Sequence, residues 1–208
     1  MKDINFTETS YKVLIADPSD AEGIYNALKS SLVEIEDVDS LSEEKIRGLE
    51  QNGFLRKEVD IQYYINLIKD HKTDIYIAKS KDLEILGFAS IHKEQNDIYE
   101  LRSTLETLYI DNQYNKDLLV NKETKFIYLD QISILTKYKR MGIASTLMKQ
   151  ILNDNSDPIV AFIVKMPLHN KASAFWHEYN GFELVGTADG HYKSKLFQWY
   201  IYIHWNND

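Results

Sequence analysis

Residues Lys139 to Ala144, Lys-Arg-Met-Gly-Ile-Ala, carry the clearest chemistry in this chain. A glycine turn that opens a helix leaves several backbone N–H groups without intrahelical acceptors, all aimed at one region of space, and that region favours phosphate. Lys137, Lys139 and Arg140 add positive charge beside it. The chemistry is anion binding by backbone, and a phosphorylated ligand is the expectation. On its own the turn is equally a strand–helix connection with solvated lysines. It is no P-loop, because Gly-x-x-x-x-Gly-Lys-[Ser/Thr] is absent, and no dinucleotide fingerprint, because it has a single glycine.

A second constellation lies downstream. In Asn170 to Asn180, the positions Ala172, Phe175, Trp176 and Tyr179 have the spacing of a core face, and Asn170, Ser173 and His177 form a polar stripe on another face. Such a stripe suits a helix that lines a ligand groove. The plainer alternative is an N-cap asparagine and a surface histidine. His177-Glu178 has no second histidine at zinc-protease spacing, and His169 and His191 have no visible ligand partner, so no metal is expected.

These residues need elements to hold them. Ile127 to Leu135 reads as a strand that leads through the turn into a helix, Ile143 to Leu152, with Ile143, Leu147, Ile151, Ala144, Met148 and Leu152 on its buried face. Ile159 to Lys165 is a continuous apolar run, the pattern of a central strand covered on both sides. Phe182 to Gly186 and Leu196 to Trp205 read as strands, with a turn at Asp189-Gly190. Upstream, a strand at Lys12 to Ala16 precedes a helix bearing Ile24, Ala27 and Leu28, a helix at Ser42 to Gln51 stopped by Asn52-Gly53, and a helix at Asp60 to Asp70. Asp74 to Lys79 and Ile85 to His92 form a hairpin. Lys93 to Thr124 reads as an insertion carrying one helix, on the helical spacing of Ile98, Leu101, Leu105 and Leu108. It would serve as a lid, a dimer contact or a surface ornament.

The chain has 208 residues, 44% hydrophobic and 27% charged, which suits one globular α/β (mixed α+β) domain over 1–208. With no cysteine, it has no disulfide, cysteine nucleophile or thiolate zinc site. A net charge of -8 argues against a general nucleic-acid binder. The first ten residues lack a signal-peptide core and no apolar run is long enough to span a bilayer, so a cytoplasmic protein without membrane partners is expected.

Ile132 to Ser145 resembles the acetyl-coenzyme A loop of the GNAT N-acetyltransferase superfamily, and Asn170 to Phe182, ending Phe-Trp-His-Glu-Tyr-Asn-Gly-Phe, resembles its later Asn…Tyr…Gly-Phe segment. The two occur in the right order, one strand apart. The resemblance implies a mixed, mostly antiparallel sheet with helices on both faces and a splayed strand pair holding coenzyme A. The amides of Lys139, Arg140, Met141, Gly142, Ile143, Ala144 and Ser145 would wrap the pyrophosphate. Ile132, Ser133 and Ile134 would pair with the pantetheine arm, an amide near Ile134 would polarise the thioester carbonyl, and Asn170 and Ser173 would line the arm.

The sequence departs from the family pattern at two positions. Lys139 stands where glutamine or arginine is usual, which keeps the charge and loses the fork. His177 stands where a tyrosine is the proposed acid for the departing thiolate. An acceptor ammonium must lose a proton before it attacks. Asp130, placed by alternation on the face of Ile132 and Ile134, would serve as base or anchor, with His92 a lesser candidate and a structural aspartate the alternative. The acidic stretch Glu34 to Glu44 either selects cations or is a solvated loop. The implied activity is transfer of an acetyl group from acetyl-coenzyme A to a primary amine of a small molecule or peptide, by direct attack in a ternary complex, in a monomer or homodimer. A coenzyme A-binding sensor and a transferase of another acyl group are the alternatives.

Overall fold

A computed structural model describes residues 10–32, 40–55, 59–93, 105–110, 112–121, 123–192 and 195–206. The strands are β1 (Tyr11–Ile15), β2 (Thr73–Ser80), β3 (Ile85–His92), β4 (Leu105–Ile110), β5 (Ile127–Ile134), β6 (Ile159–Met166), β7 (Glu183–Tyr192) and β8 (Lys195–His204). The helices among the described residues are α1 (Ala21–Lys29), α2 (Glu43–Asn52), α3 (Ile61–Lys69), α4 (Gln113–Val120), α5 (Ile143–Asp154) and α6 (Lys171–Tyr179). All eight strands form one sheet in the order β1-β2-β3-β5-β6-β8-β7-β4. Every described pairing is antiparallel except β5 with β6. The mixed, mostly antiparallel sheet expected from the family resemblance is therefore present.

Alternation along the strands sorts the core onto two faces. Tyr76, Ala78, Ala89 and Ile91 pack with Ile143, Leu147, Met148 and Ile151 of α5 and Ala174 of α6. Ile75, Ile77 and Phe88 pack with Ile24, Ala27 and Leu28 of α1 and Tyr64 of α3. The buried faces of α1 and α5 are those their spacing predicts. Ser42 caps α2 by accepting the Lys45 N–H at 3.3 Å, and Gly53, at φ +72°, ends it.

Of the four residues whose spacing suggests a helix in the insertion, Ile98 and Leu101 lie outside the described residues, and the other two are not helical. Leu105 to Leu108 lie in β4, a strand on the edge of the sheet, paired to β7. Further along the same segment lies α4, capped by Asn112, whose side chain accepts the Asn115 N–H at 2.9 Å. β7 also runs on through Asp189-Gly190, where a turn was expected, because Leu105 and Thr107 of β4 and Gln198 and Phe197 of β8 pair with it there. A fourfold apolar spacing cannot by itself tell a helix from a strand whose partner is remote.

Gly186 lets β4 dock. A Cβ there would lie 2.1 Å from the Tyr109 carbonyl oxygen. Gly186→Val is expected to release β4 from β7 at a cost of about 1–3 kcal/mol. Amide exchange at Leu108 to Ile110 should accelerate strongly, while the amides of β5 stay protected.

Candidate active site

The parallel pair β5–β6 is joined only at its beginning. Ile127 lies opposite Ile159 and Tyr128 opposite Val160, and no register follows, although each strand runs for eight residues. Beyond that vertex the strands diverge. β3 holds β5 on one side and β8 holds β6 on the other, so the opening is fixed by the sheet.

A bulge in β5 aims the backbone into this opening. The Ile127 N–H donates to Pro158 O on the β6 side at 2.8 Å, and the Leu135 N–H donates to Leu86 O on the β3 side at 2.8 Å. Two odd-numbered residues of an unbroken strand would point the same way. The register slips where Ser90 faces Gln131 but Ile91 faces Leu129, which leaves Asp130 as the extra residue. Counting back from Leu135, the backbone groups of Ile132 and Ile134 therefore face the gap.

The bulge also re-sorts the side chains. Leu129, Ile132 and Ile134 face α5. Gln131 and Ser133 face the other way: Gln131 Oε1 accepts from the Tyr64 hydroxyl at 2.7 Å, and the Ser133 hydroxyl donates to Ala27 O at 2.8 Å. Ser133 thus has only its backbone to offer a ligand. Asp130 sits with this second set, its Oδ2 3.5 Å from His92 Nε2. Burial, then the Tyr63 hydroxyl and the Asp130 charge, push the Tyr64 phenol above its usual range. The expectation that Asp130 shares a face with Ile132 and Ile134 is therefore corrected, because simple alternation fails across a bulge.

At the far end of β5, Thr136–Tyr138 make one turn of 3-10 helix, and Gly142, at φ +77° and ψ 0°, opens α5. The Thr146 N–H, donating to Gly142 O at 3.0 Å, begins the helical ladder. The amides of Ile143, Ala144 and Ser145 precede it, and no side chain caps the helix. A Cβ on Gly142 would meet nothing within 4 Å, so the approach to these amides is open. Arg140 also takes a positive φ, +64°. Met141 is exposed, and Ile143 is buried beneath the loop.

The loop's cations are engaged locally. Lys137 pairs with Glu84 at 2.7 Å, so its charge is largely offset there. Lys139 Nζ donates to Asn52 O at 3.0 Å, and burial lowers its pKa. Arg140 Nη2 reaches Asn52 Oδ1 at 3.4 Å. The end of α2 thus braces the loop, a role for Asn52 that no local pattern announces.

The face of α6 differs from its predicted one. Phe175 and Tyr179 are exposed, while His177, at 1% exposure, and Ala174 are buried. His177 packs among Trp176, Phe182 and Tyr202, with ring centroids at 4.8, 4.8 and 5.8 Å, and its Nδ1 is 2.7 Å from Ser173 O. Burial lowers its pKa to about 4, the Ser173 carbonyl opposing the shift. A neutral, enclosed imidazole lacks both the proton and the access that an acid for a departing thiolate needs, which corrects that expectation. Ser173 is half-buried, its hydroxyl 3.5 Å from His177 Nδ1. Asn170 caps α6, accepting the Ser173 N–H at 3.3 Å, and its Nδ2 donates to Phe54 O at 2.9 Å. Its side chain ties α6 to the chain after α2, and its N–H donates to Val164 O of β6 at 3.0 Å.

Of the acidic stretch, Glu34, Glu36, Asp37 and Asp39 lie outside the described residues. Glu43 and Glu44 occupy the first turn of α2, where a carboxylate suits the helix dipole. Among the described residues no group of three or more His, Asp or Glu could hold a metal. No helix of the described residues is long and apolar enough to cross a membrane.

The sequence profile of the acetyltransferase (GNAT) family matches residues 36–182. This chain belongs to the GNAT acetyltransferase family. The match spans both the β5–α5 loop and α6. The GNAT fold is also seen in Arabidopsis thaliana NAA60 in complex with acetyl-CoA (14% identity, 94% of this chain and 98% of that one, TM-score 0.59). It recurs in the PaiA N-acetyltransferase of Thermoplasma acidophilum in complex with coenzyme A (13% identity, 94% and 98% covered, TM-score 0.55). The loading GNATL domain of CurA from Lyngbya majuscula is similar too (11% identity, 95% and 98% covered, TM-score 0.59). At these identities the likeness is one of fold. No curated protein sequence matches the chain.

Proposed function

We propose that this GNAT chain is an N-acetyltransferase that moves an acetyl group from acetyl-coenzyme A to a primary amine, by direct attack in a ternary complex. The observation that carries the reading is the opening between β5 and β6, with the uncapped start of α5 at one end and the β5 bulge at the other. The amides of Ile143 to Ser145, with the helix dipole behind them, suit a pyrophosphate. The inward backbone of Ile132 and Ile134 suits the amide-bearing pantetheine arm, which adds to the sheet edge as a short strand would. That leaves the thioester near the bulge, where a backbone N–H can polarise its carbonyl. The acceptor approaches from the α1–α3 face, on which Asp130 and His92 lie.

With His177 enclosed in the core, the reading places no acid of α6 at the thiolate. Proximity and carbonyl polarisation carry most of the rate, and the departing thiolate takes its proton from the amine or from water. Calorimetry should give acetyl-coenzyme A a dissociation constant in the micromolar range, on the order of -8 kcal/mol. Thiol release should then depend on an added primary amine. Binding without turnover on any amine would instead support a coenzyme A sensor.

A further inference from the structure

The last turn of α2 and the residues just after it bridge the loop that follows β5 and the start of α6, which follows β6. On the first side, Asn52 O accepts from Lys139 Nζ at 3.0 Å, and Asn52 Oδ1 lies 3.4 Å from Arg140 Nη2. On the second, Glu50 pairs with Lys171 at 2.7 Å, and Phe54 O accepts from Asn170 Nδ2 at 2.9 Å. The two attachments are unequal. Phe54 is buried with Val164 of β6, Leu168 and Phe197 of β8, so the α6 side is anchored in the core. Asn52 is exposed and holds the loop through surface contacts alone. Its Nδ2 donates to Gly48 O at 2.8 Å, which leaves Oδ1 for Arg140.

The contacts of Asn52 imitate an anion. It is the last residue of α2, so its carbonyl has no intrahelical donor and sits at the negative pole of the helix. Two cations of one loop share the oxygens of this one neutral residue. Lys137 of the same loop has a carboxylate partner in Glu84, but among the described residues no carboxylate pairs with Lys139 or Arg140. Burial lowers the Lys139 pKa, and nothing of opposite charge offsets it. Phosphate oxygens hold an ammonium and a guanidinium more strongly than neutral oxygens do. The place taken by the end of α2 is therefore one that a diphosphate would take with advantage.

Given the acetyltransferase reading, on which this rests, we propose that the end of α2 is an internal competitor for the cofactor diphosphate: Asn52 holds Lys139 and Arg140 until acetyl-coenzyme A takes them from it. The exchange frees the Asn52 end of α2, while Phe54 and the Glu50–Lys171 pair keep the other attachment. Because the cofactor must displace these contacts, they lower its affinity by what they contribute to the free chain. A brace that only shapes the loop would act the other way, since loosening it would cost affinity.

The test is calorimetric titration of acetyl-coenzyme A into the full chain and its Asn52→Ala, Asn52→Asp and Gln51→Glu variants, each checked for folding by thermal unfolding. Asn52→Ala removes the acceptor of Arg140 and keeps the carbonyl, and should bind acetyl-coenzyme A about 3- to 10-fold more tightly than wild type. Asn52→Asp sets a carboxylate against the same cations and should bind at least about 10-fold more weakly. Gln51→Glu adds the same charge to the neighbouring exposed side chain and should stay within about threefold of wild type. An Asn52→Ala variant that binds no more tightly, or an Asn52→Asp variant that binds no more weakly, overturns the competitor. In an Arg140→Gln background Asn52→Ala should leave affinity unchanged, and an undiminished gain there also overturns it. Hydrogen exchange gives an independent readout. The Gly53 N–H donates to Leu49 O at 3.0 Å, and the Leu55 N–H, beyond the Phe54 anchor, donates to Ser31 O at 2.8 Å. Saturation with acetyl-coenzyme A should speed exchange at Gly53 at least about threefold and leave Leu55 unchanged. Slower exchange at Gly53 would mean that α2 tightens on the cofactor, and it overturns the release. Absence of acetyl-coenzyme A binding in wild type would overturn the acetyltransferase reading itself, a result distinct from all of these.

Discussion

Gly142→Ala is expected to weaken acetyl-coenzyme A binding by about 10- to 100-fold while leaving the fold intact. Two observations separate the effects. The added Cβ meets no atom within 4 Å, so nothing in the protein is displaced. The φ of +77°, however, is one that an L side chain adopts at a cost of about 1–2 kcal/mol. Alanine relieves that cost by turning the peptide towards ordinary φ, and the peptide it turns is the one that feeds the first amides of α5. Losing one charge-assisted hydrogen bond to the pyrophosphate is worth about 1.5–3 kcal/mol, which sets the expected range. Calorimetry gives the affinity, and thermal unfolding shows whether stability has moved by more than the strain. Gly48→Ala is the control. It lies within α2, adds the same methyl to open surroundings and has no positive φ. It should leave binding unchanged. Equal affinity in Gly142→Ala would mean that the phosphates lie elsewhere.

This expectation could be framed from the sequence because Lys139 to Ala144 is a local motif. A glycine between a strand and an amphipathic helix fixes its own conformation, and α5 buries Ile143, Leu147, Met148 and Ile151 as its spacing requires. The same holds for the apolar β6, fifth of eight strands in the sheet. What stayed hidden depends on contacts remote in sequence. Asn52 braces Lys139 across 87 residues, and nothing near either residue signals it. Leu105 and Leu108 keep a helical spacing yet form a strand, because Gly186 makes room for one beside β7. Asp130 is legible in the sequence as an acid on the strand before the loop, but its face is not. A bulge is set by the partner strand, here at Ser90 and Ile91, and leaves no trace in the period of β5 itself. His92 was visible only as a histidine at a strand end. The carboxylate and the ring beside it come from β5, which β3 meets only in the folded sheet.

The second large effect concerns His177 and acid stability. The ordinary imidazole pKa of 6.5 is lowered to about 4 in the folded chain, since burial disfavours the cation more than the Ser173 carbonyl favours it. The unfolded chain takes up a proton near 6.5 and the folded one resists until about 4. The stability held in the neutral imidazole is therefore complete above 6.5, is lost as pH falls between 6.5 and 4, and changes no further below. Over that window the slope approaches 1.4 kcal/mol per pH unit, for a total of about 3 kcal/mol. His169 and His204, whose pKa values burial also lowers, add to the same slope. His177→Phe should remove the largest part of it. The ring keeps its contacts with Trp176, Phe182 and Tyr202 and gives up only the bond to Ser173 O, at a cost of about 1 kcal/mol near pH 7. Urea unfolding at intervals from pH 4 to 8 measures both. The variant should be the less stable protein at pH 7 and the more stable one at pH 4.5. Acetyl transfer distinguishes a core histidine from an acid: with His177 enclosed, kcat in His177→Phe should stay within about threefold of wild type, where losing a general acid would cost at least about 100-fold. A variant that kept the steep acid loss would place the responsible proton on another group, and a hundredfold loss of kcat would return His177 to the reacting centre.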